Sequence, residues 1–218
     1  MKYNLSSLCE YRKGKVSVDI LNKYTYISTE NMLPNKGGIV PATSLPNISQ
    51  TQEYKKGDVL VSNIRPYFKK IWLAEYDGGC SNDVLVFKAN EDTDNTFLYY
   101  VLADEAFFNY SMATSKGTKM PRGDKISIMQ YEVPHYDIME QRKIAQVLRA
   151  LDKKIELNNE INNNLPSGVE ALEFFFPVKM LQNISKVLIF CISELTGAKY
   201  SLYRLSACCS KLLFTKGK

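Results

Sequence analysis

The sequence predicts an α+β fold: a sheet-rich mixed α/β domain followed by a long coiled-coil helix. From Lys2 to about Pro134, short apolar runs rich in Val, Ile, Tyr and Phe alternate with Gly, Asn, Asp and Pro, the grammar of many short strands. From Ile138 to Leu165 there is neither Gly nor Pro, and Ile144, Leu148, Leu151 and Ile155 recur at alternating steps of four and three, the spacing of a coiled-coil seam. With 218 residues, 45% hydrophobic and 23% charged, the chain is long enough for one large domain plus an appendage, which excludes a disordered tail, a collagen and a mini-protein.

In chain order, the best strand candidates are Tyr24 to Ser28, Asp58 to Ile64, Ile71 to Ala74, Asp83 to Lys88 and Tyr131 to Val133. Lys36-Gly37-Gly38, Lys56-Gly57-Asp58 and Asp77-Gly78-Gly79 read as the turns between them. One amphipathic helix, Thr96 to Ser111, interrupts the strands, with Phe97, Val101, Leu102 and Phe108 at roughly helical spacing. The long helix follows, and its register puts Asn158, Asn162 and Leu165 on the seam. Seam asparagines cost stability but penalise wrong registers, so the helix is expected to pack along another helix in one alignment, outside the domain's core. At about 1.5 Å per residue it reaches roughly 42 Å, a little more than one turn of duplex DNA. Leu165-Pro166-Ser167-Gly168 ends it, and the segment beyond loses any clean amphipathic period.

The net charge of +5 resides mostly in that last segment: residues 166–218 carry +4 and residues 1–165 only +1. Nucleic-acid binding by the main body therefore has to rest on local clusters. Five cysteines with no CxxC spacing and a single histidine, His135, argue against a zinc site or disulfide framework and fit a reducing cytoplasm. The N-terminus lacks an apolar signal core, and the longest apolar run of the final segment, Val187 to Ile192, is far below the roughly 20 residues that span a bilayer. The expectation is a cytoplasmic protein, neither secreted nor membrane-spanning.

Catalytic signatures are missing: no GxxxxGK[ST] loop, no GxGxxG, no GxSxG elbow, no HExxH and no Asn-Pro-Pro-aromatic tetrapeptide. Asp58 and Asp83 are conceivable metal ligands, but a turn residue and a strand edge are the better reading. Two clusters carry nucleic-acid chemistry. Ser62-Asn63-Ile64-Arg65-Pro66-Tyr67-Phe68-Lys69-Lys70 combines a guanidinium that can fork onto guanine or phosphate, an amide that can pair with adenine, and ammonium groups for phosphates. The bland alternative makes Arg65 a structural ion-pair residue, Tyr67 and Phe68 core, and the lysines solvated. The second cluster, Thr114 to Lys125, sets four cations, three hydroxyls and two glycines after the helix. Glycine lets backbone amides approach phosphates, and the bland alternative is a flexible polar loop.

Taken together these stretches resemble the specificity subunit of type I restriction-modification systems. The resemblance rests on Gly57-Asp58-Val59-Leu60-Val61-Ser62-Asn63-Ile64-Arg65-Pro66, Cys80-Ser81-Asn82-Asp83-Val84-Leu85-Val86, Phe97-Leu98-Tyr99-Tyr100 and Gly117-Thr118-Lys119-Met120-Pro121-Arg122. It closes with Glu132-Val133-Pro134 leading through Glu140-Gln141-Arg142-Lys143-Ile144-Ala145 into Leu151-Asp152-Lys153-Lys154-Ile155-Glu156. The resemblance implies a target-recognition domain over residues 1–135, a spacer and dimerisation helix over 136–165, and an atypical tail over 166–218. That tail departs from the family pattern and reads either as a divergent ending or as the product of a truncated or frame-shifted reading frame.

The implied function is non-catalytic: reading one half-site of double-stranded DNA for a methyltransferase subunit and a restriction/translocase subunit. No cofactor is expected on this chain; S-adenosylmethionine, ATP and Mg2+ belong to the partner subunits. The expected DNA-binding residues are Ser62, Asn63, Arg65, Tyr67, Lys69, Lys70, Asn82, Lys116, Thr118, Lys119, Arg122 and Lys125. Helix pairing, including a self-dimer, is expected through Ile144, Leu148, Leu151, Ile155, Asn158 and Asn162. Two other classes stay open: an autonomous DNA-modifying or DNA-cleaving enzyme with an unrecognised site, and a pure assembly protein.

Overall fold

A computed structural model describes residues 2–164. The chain runs β1 (Lys2–Asn4), β2 (Cys9–Tyr11), β3 (Lys15–Ser17), β4 (Tyr26–Ile27), β5 (Gln50–Tyr54), β6 (Val59–Ser62), β7 (Ile71–Leu73), β8 (Gly78–Cys80), β9 (Val84–Ala89), α1 (Asn95–Ala103), α2 (Glu105–Ala113), α3 (Lys125–Met129), β10 (Glu132–Pro134) and α4 (Ile138–Asn164). Two compact units divide it after Lys154; the described part of the second is the end of α4, residues 155–164. The tail expected over 166–218, Leu165 on the seam and three of the five cysteines lie outside the described residues.

Three sheets build the first unit. An antiparallel sheet has the order β2-β9-β6-β7, a second sheet has the order β3-β5-β8-β4 with β4 and β8 parallel, and β1 pairs with β10. The central strands β6 and β9 are apolar at successive positions because both of their faces are covered. Val59, Val61, Leu85 and Phe87 face a core shared with Phe97, Leu98, Leu102, Phe107 and Phe108 of α1 and α2. Leu60, Val84 and Val86 face the opposite way, against Ile27, Met32, Tyr54, Ala74 and Cys80 of the second sheet and its loops. Helices on one side and a sheet on the other thus make a layered α+β unit, as the sequence predicts.

Several expectations need correction. The single helix from Thr96 to Ser111 is two helices, because Asp104 is extended (φ −66°, ψ 145°). Its carboxylate accepts the N–H of Ala106, so the residue whose backbone ends α1 caps α2 with its side chain. Asp77-Gly78-Gly79 is not a turn as a whole: Gly78 and Gly79 lie inside β8. A Cβ on Gly78 would sit 2.2 Å from the Thr25 carbonyl oxygen, and one on Gly79 2.6 Å from Leu21 and Thr51 side-chain carbons, so the glycines serve close packing. Gly57, at φ 91°, does occupy its predicted turn.

Asp58 is no metal ligand in this arrangement. It is buried, its carboxylate takes Nε and Nη2 of Arg12 side by side (Nη2 at 2.8 Å), and it accepts the Lys55 N–H at 2.8 Å. Among the described residues no cluster of His, Cys, Asp and Glu could hold a metal ion. Cys9 and Cys80 are buried free thiols. No helix among the described residues is long and apolar enough to cross a membrane.

The base of α4 also differs from expectation, since it belongs to the core rather than lying outside it. Ala145 is buried and Ile144 packs on the helical side of the central sheet. Gln141, fully enclosed, accepts the Asp94 N–H at 3.0 Å and donates to the carbonyls of Asp92 and Tyr136 at 3.2 and 3.0 Å. Farther along, Tyr100 donates its hydroxyl to Asp152 at 2.7 Å.

Candidate nucleic-acid interface

The two loops singled out from sequence meet. Both begin at the ends of buried elements, residues 62–70 after β6 and residues 114–125 after α2, and their backbones are stitched together. Ile64 and Arg122 form an antiparallel bridge, the Arg65 N–H donates to Pro121 O at 2.9 Å, and the Gly123 N–H donates to Asn63 O at 3.2 Å. Within the second loop Lys116 and Arg122 exchange both backbone hydrogen bonds at 2.9 and 3.0 Å, which closes residues 117–121 into a tip. The base of this loop is thereby held to the 62–70 loop by backbone hydrogen bonds.

Side chains divide sharply between those that face out and those that build the ridge. Lys116, Thr118, Lys119 and Arg122 are exposed, as are Asn82 and Lys125. Arg122 is anchored by Asp83 at 3.1 Å and Lys116 lies 3.5 Å from Asp124, while Lys119 meets no carboxylate among the described residues. The Asp124 carboxyl is held below the ordinary range by the Ser127 hydroxyl, joined by Lys116. Lys125 extends over the Tyr11 ring, 5.9 Å from its centre.

Of the other expected contacts, two are buried and two have their ammonium groups engaged within the fold. Ser62 is buried and donates to Ile64 O at 3.1 Å, which shapes the start of the loop. Asn63 is buried beside Gly123. Lys69 is engaged by the carboxylate of Glu105 at the start of α2, and this pairing holds the Glu105 carboxyl below its ordinary range. Lys70 donates to Thr29 O at 2.6 Å, with its ammonium pKa lowered by burial. A lysine that ends a turn and a lysine that binds phosphate look alike in sequence, and here the carbonyl and carboxylate partners come from distant segments.

Tyr67 and Phe68, by contrast, are not core. They are 48% and 38% exposed and pair with ring centres 4.7 Å apart. Arg65 has no carboxylate partner among the described residues, so the ion-pair alternative also falls. Its backbone is left-handed (φ 50°) and its Nε is enclosed without a hydrogen-bond partner, as is the Asn63 Oδ1. Among the described residues the four non-glycine ones with positive φ, Asn35, Lys36, Arg65 and Lys69, sit in two loops that touch: the N–H groups of Asn35 and Lys36 donate to the carbonyls of Phe68 and Lys69 at 2.8 and 2.9 Å. Strained backbone concentrated in one place is a mark of a functional surface. Sequence reasoning missed Asp83 as part of the ridge, and quoted Phe68 and Asp124 within the two clusters without placing them among the binding residues. The alternation of acids and bases around 122–125 was a signal for Asp124, but Asp83 pairs across the fold and left none.

On the helix, the seam changes character along its length. Ile144 and Leu148 are half-buried, whereas Leu151, Ile155, Asn158 and Asn162 are exposed.

The chain matches the family model described as the type I restriction modification DNA specificity domain over residues 1–167. It is 27% identical over 133 residues to the type I restriction enzyme EcoDI specificity subunit of Escherichia coli, covering 58% of this chain and 30% of that one. It is 28% identical over 187 residues to the HindI specificity subunit of Haemophilus influenzae, covering 77% and 40%. It therefore spans less than half the length of these relatives. Its fold resembles the S subunit from M. genitalium (TM-score 0.53, 20% identity, 84% of this chain and 48% of that one) and the HsdS subunit from Thermoanaerobacter tengcongensis (TM-score 0.56, 19% identity, 93% and 51%). With the family model matched over most of its length, the chain belongs to the type I restriction-modification DNA specificity domain family.

Proposed function

We propose that this chain is a non-catalytic DNA-reading unit that recognises one half-site of a duplex through the ridge formed by residues 62–70 and 114–125. The observation that carries this is the stitching of two sequence-distant loops into one surface that presents Lys116, Thr118, Lys119, Arg122, Arg65 and an exposed aromatic pair together. Lysines bind phosphates, and a guanidinium without an intramolecular acid is available to a base edge. Adenine methylation with S-adenosylmethionine, and ATP- and Mg2+-dependent cleavage, fall to separate methyltransferase and restriction/translocase chains in the cytoplasm. The exposed Leu151 and Ile155 are the pairing positions for a second helix, in a second copy of this chain or in the methyltransferase. Two copies related by a two-fold axis would read inverted half-sites around an unread spacer.

The test is the salt dependence of binding to a cognate duplex. Lys116→Ala combined with Lys119→Ala should weaken binding and reduce the slope of log affinity against log salt by about 0.9 for each phosphate that is no longer neutralised. Unchanged affinity and slope would contradict the assignment.

A further inference from the structure

One ion pair on the ridge is positioned by the central sheet itself. β6 and β9 are antiparallel neighbours with Ser62 opposite Val84, so Asn63 and Asp83 adjoin the sheet at the same end. The Asn63 N–H donates to the Asp83 carbonyl at 2.8 Å, and the Asn63 carbonyl accepts the Gly123 N–H at 3.2 Å. Asn63 thus ties the backbone before β9 to the backbone beside Arg122. The approach is close: a Cβ on Gly123 would lie 2.9 Å from Asn63 Oδ1 and 2.8 Å from Ile128 Cδ1. Arg122 also exchanges two backbone hydrogen bonds with Lys116, and the Ser81 hydroxyl accepts the Asp83 N–H at 3.3 Å. Across this frame Arg122 Nη2 lies 3.1 Å from Asp83 Oδ1, with 56% of the arginine side chain and 38% of the aspartate side chain exposed.

A guanidinium carries five N–H donors in a rigid plane, and Nη2 contributes one hydrogen to each of its two forks. Whichever hydrogen faces Asp83, one fork stays whole, and the carboxylate fixes its direction. The pair has no net charge, and a carboxylate at the surface repels a phosphate brought to the same place. Lys116 is unlike it: its ammonium, 3.5 Å from Asp124 on a side chain 80% exposed, is a rotatable point charge suited to a phosphate. We infer that Arg122 reads a guanine edge in the major groove and that Asp83 is its positioning residue, turning the fork toward a base and away from the backbone phosphates. This rests on the DNA-reading function proposed above. Guanine presents two acceptors, O6 and N7, in the major groove, and a fork of two donors matches them.

The experiment is selection from a pool of randomised duplexes by the full chain together with its methyltransferase subunit, followed by affinity for the selected duplex over a range of salt. Arg122→Lys keeps the charge and loses the fork. It should reduce the preference for one guanine about tenfold while leaving the rest of the motif selected. Asp83→Asn releases the guanidinium. Preference for the same guanine should fall, while the slope of log affinity against log salt steepens by about 0.9 as Arg122 takes up a phosphate. A guanine preference equal to that of wild type in either variant overturns this inference alone. So does a loss spread evenly over every position of the motif, which would make the pair structural. A wild-type complex that selects no motif overturns the DNA-reading proposal and this inference with it.

Discussion

Arg65 carries two costs at once, a left-handed backbone of about 1–2 kcal/mol and an enclosed Nε without a partner, about 1–3 kcal/mol. Arg65→Gly removes both. It is expected to leave the urea midpoint at or above that of wild type while selectivity for the cognate duplex falls; a lower midpoint with unchanged selectivity would make Arg65 structural. The Arg12–Asp58 pair is the opposite case. Asp58→Ala leaves the half-buried Arg12 guanidinium with only the Glu53 carboxylate, 4.0 Å away, and should cost about 3 kcal/mol in urea unfolding, most of it recovered when Arg12 is also replaced by an apolar residue. The buried thiols predict a pH dependence. Burial raises Cys9 and Cys80 from 9.0 to about 12, so the unfolded chain releases these protons first. The stability they contribute is complete below pH 9 and declines as pH rises toward 12, which unfolding midpoints across that window would measure.

Among elements, the legible ones were those whose pattern a single segment carries. β6 opens on three consecutive apolar residues and β9 on four, and α4 spans 27 residues with a periodic seam. β1, β2 and β3 mix charged or polar residues with apolar ones and carry no apolar run, and β8 contains two glycines that denote packing rather than a turn. The break at Asp104 was hidden because the apolar spacing continues through it. The ridge was half legible: residue types identified both loops, but Ser62 and Asn63 are buried at the loop base, and Lys69 and Lys70 are engaged by Glu105 and the Thr29 carbonyl, partners that spacing does not encode. At the helix, Gln141→Ala would leave the Asp94 N–H and two carbonyls without their side-chain partner and should cost about 2–3 kcal/mol in urea unfolding. Leu151→Asp with Ile155→Asp, at exposed positions, should leave the melting of the domain unchanged and abolish helix pairing in light scattering.

At the scale of the whole molecule, residues 1–165 are nearly neutral, so affinity for DNA must come from where charges stand rather than from their sum. The layered core fixes the bases of both loops in one unit, which holds their exposed side chains on one surface. The central claim is that this surface chooses the sequence. Its most direct test is methylation mapping of a host genome carrying the chain and its methyltransferase, with wild-type loops and with residues 62–70 and 114–125 exchanged for those of a relative. The predicted result is methylated adenine confined to one motif, palindromic around a spacer if two copies pair, and a changed motif after the exchange. The same motif with either set of loops, or methylation that persists without this chain, would contradict it.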